Sequence, residues 1–224
     1  MNTMITVENV NKSFQLGSSS VEVLKNINLL INKGEFISIM GPSGSGKSTL
    51  LYLMGGLDQV SKGTICVNGI EMQKLNDDAE SRMRRNDIGF VFQAYNLINN
   101  LTLEENILLP ALLEGKNKKE SVKKAEALME RVGIIQRRNH TPRELSGGEQ
   151  QRTAIARALI NDPAVLFADE PIGNLDSKSG TEVLELLRDI NKEKGITILM
   201  VTHSEESTRY SNRIIRLRDG QVVA

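Results

Sequence analysis

Apolar and polar positions follow two different rhythms along this chain. From Met4 to Val10 and from Val21 to Ile31 they partly alternate, which predicts strands, and Gly17-Ser18-Ser19-Ser20 supplies the bend between them. Glu35 to Met40 reads as a short buried strand running into a glycine-rich loop, with a helix predicted over Ser48 to Met54. Thr64 to Met72 carries Asn68-Gly69 between β-branched residues, a pairing that favours a tight hairpin. The first 90 residues therefore read mainly as strands. From about Asn96 to Pro142 the spacing turns helical, with Val122, Ala125, Leu128, Met129 and Val132 on one face. After Gly147 the order is helix, strand, helix, strand. Val183, Leu184, Leu187 and Ile190 line a helix that Gly195 can end, and Ile196 to Thr202 reads as a buried strand. Such alternation predicts an α/β fold whose mainly parallel sheet is covered on both faces. Residues 94–143 read as a helical insertion into a core made by 1–93 and 144–224.

Composition narrows the classes. A chain of 224 residues without linker, repeat or low-complexity tract fits one large domain. Its 28 basic and 28 acidic residues cancel, which argues against general nucleic-acid binding and against a polybasic membrane surface. The lone cysteine, Cys66, excludes an internal disulfide framework and a cysteine-rich metal site, and fits a reducing compartment. No basic flank followed by an apolar core opens the chain. The apolar run Ile196 to Thr202 falls far short of the ~18–20 residues of a membrane span. The expectation is a soluble cytosolic protein.

Gly41 to Ser48 reads GPSGSGKS, the pattern G-x-x-x-x-G-K-[ST], placed between a predicted strand and a predicted helix. Glycines at such positions let backbone N–H groups turn inward around phosphate oxygens, and the helix N-terminus adds partial positive charge. Lys47 is set to reach the β- and γ-phosphates, and the Ser48 hydroxyl to bind Mg²⁺. The bland alternative is a glycine turn that only caps a helix; the rarity of the four-position match and the strand and helix flanking it weigh against that reading.

Ala164 to Ala168 is an apolar strand ending in Asp169-Glu170. Acidic residues at the carboxyl end of a parallel strand lie where such sheets bind ligands. Asp169 suits Mg²⁺, through water, and Glu170 can point at the γ-phosphate and polarise an attacking water. Two solvated carboxylates at a strand end are the alternative, and the phosphate loop weighs against it.

Leu145-Ser146-Gly147-Gly148-Glu149 begins another helix. Ser146 and Glu149 make a capping box, but that does not explain two glycines in a first turn, each costing ~1 kcal/mol against alanine. They suit a second phosphate contact through backbone amides. One nucleotide needs one such cradle, so the second is expected to serve the nucleotide of another copy.

With these motifs in this order, the sequence resembles the nucleotide-binding subunit of ATP-binding-cassette (ABC) transporters over essentially its whole length. GPSGSGKSTLL, VFQAYNLI and DEPIGNLDS are similar to the group serving lipoprotein release and macrolide or antimicrobial-peptide export. The resemblance implies a P-loop NTPase core with an N-terminal antiparallel β subdomain and an inserted α-helical subdomain. It implies ATP and Mg²⁺ as cofactors, a second copy closing head to tail around two nucleotides, and a separate transmembrane permease. No nucleic-acid partner is implied. The location it implies is cytoplasmic, peripheral on the inner face of the membrane through that permease.

Carried over by motif, Gly41, Ser43, Gly44, Ser45, Gly46, Lys47, Ser48 and Thr49 hold ATP, and Ser146, Gly147, Gly148 and Glu149 face it from the other copy. Ser48, Gln93 and Asp169 hold Mg²⁺; Glu170, His203 and Gln93 serve catalysis. Phe14 falls where the family stacks an aromatic on adenine, with Val21 also on the nucleotide, and Asp176 belongs to the loop at the dimer seam. Ile172 stands where this group usually has threonine, which leaves Glu170 untouched and puts the seam packing in question.

Without the resemblance these last signals are weak. His203 after a strand can be a packing residue, Gln93 an ordinary strand end, and Phe14 core. The Lys116 to Lys124 cluster reads as a solvated helix face, and the eight methionines as core gap-fillers. The permease is expected to dock around Ala94 to Pro110, near Tyr95, Leu97, Ile98 and Leu101. A nucleotide kinase shares the phosphate loop but has no use for Leu-Ser-Gly-Gly-Glu. DNA-repair or translation ATPases of the same family carry coiled coils, zinc insertions or paired cassettes that are not visible here.

Overall fold

The computed structural model describes residues 2–17 and 19–223; Ser18 of the anticipated bend lies outside them. The elements run β1 (Thr3–Leu16), β2 (Ser19–Asn32), β3 (Phe36–Met40), α1 (Lys47–Met54), β4 (Lys62–Val67), β5 (Ile70–Glu71), α2 (Asp77–Asn86) and β6 (Ile88–Phe92). There follow α3 (Leu103–Leu113), α4 (Lys118–Arg131), α5 (Gly147–Leu159), β7 (Val165–Asp169), α6 (Ser177–Lys194), β8 (Thr197–Val201), β9 (Arg213–Arg218) and β10 (Gln221–Val223).

They form two sheets. One is antiparallel, in the order β2-β1-β4-β5, and its last turn is the Asn68-Gly69 hairpin with both residues at positive φ (49° and 84°). The other has the order β10-β9-β3-β8-β7-β6, parallel throughout except for the terminal β9–β10 pair. Strands β3, β7 and β8 are buried along their whole length, the reason their sequences are nearly unbroken apolar runs.

Alternate residues of β7 feed two cores. Val165 and Phe167 pack with α1 and the antiparallel sheet, Leu166 and Ala168 with α3, α4, α5 and α6. Residues Ala125, Leu128, Met129 and Val132 are buried as their spacing anticipates, and Val122 packs on the same core. Gly195 ends α6 in the left-handed conformation.

The expectation of mainly strands up to residue 90 needs correction at α2. This helix buries only Met83 and has no apolar stripe to betray it. Its end effects hold it instead: Asn76 accepts a bond from the Ala79 amide, the first turn carries Asp77, Asp78 and Glu80, and the last carries Arg84 and Arg85.

Candidate functional site

The carboxyl end of β3 opens into the loop Gly41–Gly46, where glycine is required on two grounds. A Cβ on Gly41 would lie 2.0 Å from the Leu217 carbonyl oxygen, and Gly46 caps α1 at φ 96° with Leu24 2.7 Å from where its Cβ would be. Helix α1 therefore starts with no side-chain cap and no acidic residue in its first turn, leaving its N–H groups open. Ser45 Oγ is buried beside them without a protein partner. Lys47 Nζ donates to the carbonyls of Gly41 and Pro42, both at 2.9 Å. Ser43 and Gly44 are exposed on the loop, and Thr49 is half-buried on α1.

Strand register assembles the next layer. Phe92 pairs with Asp169 and Asp169 with Val201, so Gln93, Glu170 and His203 emerge along one edge of the sheet. Both oxygens of the buried Asp169 are engaged: Ser48 Oγ donates to Oδ1 at 2.9 Å and the Tyr52 hydroxyl to Oδ2 at 2.6 Å. Burial, reinforced by Asp169, pushes the Tyr52 hydroxyl pKa well above its ordinary value. Sequence reading missed Tyr52, although it lies one turn after Ser48 on the same helix face.

Glu170 sits at φ 46°, its amide bonded to the Val201 carbonyl at 3.0 Å, and both its carboxylate oxygens lie 3.0 Å from His203 Nδ1. The Gln93 amide is turned toward Asn174: its Nε2 donates to Asn174 Oδ1 at 3.2 Å, and Asn174 Nδ2 donates back to the Gln93 carbonyl at 2.9 Å.

At the start of α5, Ser146 and Glu149 form the anticipated capping box, and Arg137 Nε lies 3.0 Å from the Glu149 carboxylate. Burial works to raise the Glu149 pKa, but the Ser146 amide and hydroxyl and the Arg137 guanidinium outweigh it and hold the carboxyl below its usual value. Gly147 and Gly148 occupy the first two helical positions, whose N–H groups have no partner in the helix. They also have a packing role that sequence reading did not supply. A Cβ at Gly147 would come within 2.7 Å of the Tyr95 hydroxyl, and one at Gly148 within 3.0 Å of Ser179 Oγ.

Asp176 caps α6, accepting from the amides of Lys178 (3.1 Å) and Ser179 (3.0 Å), and the Ser179 hydroxyl and these amides hold its pKa down. Ile172 packs on the helical core beside Gly180.

Phe14 and Val21 are register partners across β1–β2, and both are exposed, so Phe14 is not a core residue. Its ring lies 4.7 Å from Lys12 Nζ, which is itself tied to Asp58. Next to the Gln93 edge runs a groove of about 350 Å³ lined by Arg85, Phe90, Phe92, Pro110, Leu113 and Arg157. Exposed Leu112 lies nearby on α3, and Ile98 on the segment after Gln93. Among the described residues no helix is long and apolar enough to cross a membrane.

The family profile described as ABC transporter matches residues 24–173. The chain is 44% identical over 224 residues to the lipoprotein-releasing system ATP-binding protein LolD of Geobacter metallireducens, covering 100% of both chains. It is 48% identical over 219 residues to the macrolide export ATP-binding/permease protein MacB of Bdellovibrio bacteriovorus, covering 98% of this chain and 33% of that protein. Among solved structures it is similar to the dimeric post-hydrolysis state of the ATP-binding cassette MJ0796 bound to ADP and Pi. There the TM-score is 0.92 and the identity 44%, covering 99% of this chain and 97% of that one.

Proposed function

The chain belongs to the ABC transporter family, and from that premise we propose how its residues divide the work of an ATP-hydrolysing subunit. Two copies close head to tail around two Mg-ATP, and closure and hydrolysis power a separate membrane permease. The observation that carries this reading is the open N-terminus of α1 beside Lys47, with Ser48 already on Asp169 and Glu170 one residue further. The open amides of α1 and the buried, unpartnered Ser45 hydroxyl beside them suit phosphate oxygens.

Ser48 and Asp169 offer the oxygen donors Mg²⁺ takes, with Gln93 as a third once its amide leaves Asn174. Mg²⁺ held there would neutralise charge on the terminal phosphates. Lys47, freed from the loop carbonyls, binds the terminal phosphates. Ser146 Oγ and the Gly147 and Gly148 amides meet the same phosphates from the second copy, with Glu149 fixing that helix end and Asp176 lying at the seam. In hydrolysis a water oxygen bonds the terminal phosphorus, the bond to the bridging oxygen breaks, and Glu170 accepts the water's proton. His203, held by Glu170, turns to the phosphoryl oxygens, and Phe14 stacks on adenine beside Val21.

We assign residues 94–143 as the helical unit inserted in the core. The groove beside it, lined by Leu109, Pro110 and Leu113 and flanked by exposed Leu112, is the surface offered to the permease. Attachment through that partner makes the chain a peripheral membrane protein on the cytoplasmic face. The likeness to LolD and MacB supports a permease of the lipoprotein-, macrolide- or antimicrobial-peptide-exporter type.

Glu170→Gln tests the core of this reading. ATP binding is expected to persist and phosphate release to fall by about 10²- to 10⁴-fold, with an ATP-dependent dimer accumulating in light scattering. A turnover near native in that variant would falsify the assignment.

A further inference from the structure

Directly after Gln93 the chain makes a turn that ordinary residues avoid. Tyr95 (φ 61°) and Asn96 (φ 51°) are consecutive left-handed residues, and neither is glycine. Asparagine tolerates this region; tyrosine has no short polar side chain to offset it. Such backbone persists only where its surroundings over-determine it.

One side chain supplies that constraint. Arg157, in the last turn of α5, donates from Nη2 to the Tyr95 carbonyl at 2.9 Å and from Nη1 to the Asn96 carbonyl. Its planar fork holds two successive peptide groups at once, a geometry a lysine ammonium does not match. Among the described residues its polar contacts are these two carbonyls, not a carboxylate. A half-buried cation here fixes backbone shape.

Both ends of the turn carry groups of the nucleotide site. Gln93 and Asn174 exchange hydrogen bonds on one side. On the other the Tyr95 hydroxyl lies 3.5 Å from the Asn174 carbonyl and closes over Gly147. We infer that Arg157 is a positioning residue: its fork on the Tyr95 and Asn96 carbonyls holds the turn that fixes where Gln93 leaves β6, beside Asn174, so that its amide can swing from Asn174 to the reacting phosphates. The inference rests on the reading of Gln93 as a group of that site.

The test is Arg157→Met, which keeps the apolar stem and loses the fork. The kcat is expected to fall by about tenfold or more while ATP affinity stays within about twofold, since the phosphate loop is untouched. Hydrogen exchange over residues 93–98 should quicken by about tenfold or more, with residues 41–49 unchanged. In an Asn96→Gly background the turn needs less holding, so the kcat loss caused by Arg157→Met should shrink by about threefold. Native exchange over 93–98, or an equal kcat loss in both backgrounds, overturns the clamp. If Arg157→Met does not fold, Arg157→Lys replaces it: exchange over 93–98 about threefold faster than native supports the clamp, and native exchange overturns it. Gln93→Ala runs in parallel. A native kcat there overturns the reading of Gln93, while the exchange measurement still decides the clamp.

Discussion

Helices α1 and α5 both begin in glycine-rich sequence, yet their first turns are in opposite electrostatic states. At α1 the cap is Gly46, no side chain bonds the free amides, and no acid sits in the first turn. At α5 the chain meets its own needs: Ser146 accepts from the Glu149 amide, and the Glu149 carboxylate accepts from Ser146 and from Arg137. A helix start left open costs stability unless an anion completes it. On the proposed reading the first is half of a binding site, while the second is a finished helix end with two glycine amides to spare. That difference explains how one chain can grip a nucleotide by itself and still need a second copy to enclose it.

The sharpest way to break this comparison is to damage each helix start separately. Lys47→Ala should weaken ATP binding by about 100-fold or more, through loss of charge-assisted contacts. Gly148→Asp should leave ATP binding to the monomer within about threefold yet abolish turnover, because its carboxylate repels phosphate only in the closed pair, while its Cβ, within 3.0 Å of Ser179 Oγ, lowers fold stability as well. Equal binding defects in a fluorescent-nucleotide titration would erase the distinction. Next in size is Gly41→Ala, whose new methyl meets the Leu217 carbonyl at 2.0 Å; overpacking of this kind should cost about 3 kcal/mol, read as a lower urea midpoint.

Ser146→Ala should cost about 1 kcal/mol by removing the cap of α5, in the same denaturation assay. The smallest effect belongs to pH. The folded-state pKa of Glu149 is depressed, so its contribution is full above the ordinary value of 4.5 and is lost as pH falls through the lower folded value. Glu149→Gln should accordingly flatten the acid limb of the stability curve below about pH 4.5 and leave its slope near neutrality unchanged.

Legibility in the sequence varied with the physical origin of each feature. Strands β3, β7 and β8 could be read because burial on both faces leaves nearly unbroken apolar runs, and the face of α4 because burial on one side imposes a helical period. Helix α2 could not, since it is held by charges and a cap around one buried methionine. The β9–β10 hairpin, with exposed and buried residues alternating on β9, also went unread. Tyr52 escaped because nothing local announces a hydroxyl that reaches a carboxylate 117 residues away. The packing role of Gly147 and Gly148 escaped for the same reason: Tyr95 and Ser179 meet them only in the folded chain.

Spacing along the chain was enough to define the phosphate loop, the acidic strand end and the capped glycine helix, because each is a local device whose residues lie within a few positions of one another. Folding decided which of these devices touch. Asp169 came to share its oxygens between Ser48 and Tyr52, Gln93 to face Asn174, and a left-handed turn to hang on Arg157, through strand register and helix packing. Contacts of that kind are fixed by where distant segments are buried together, and no short stretch of residues encodes them.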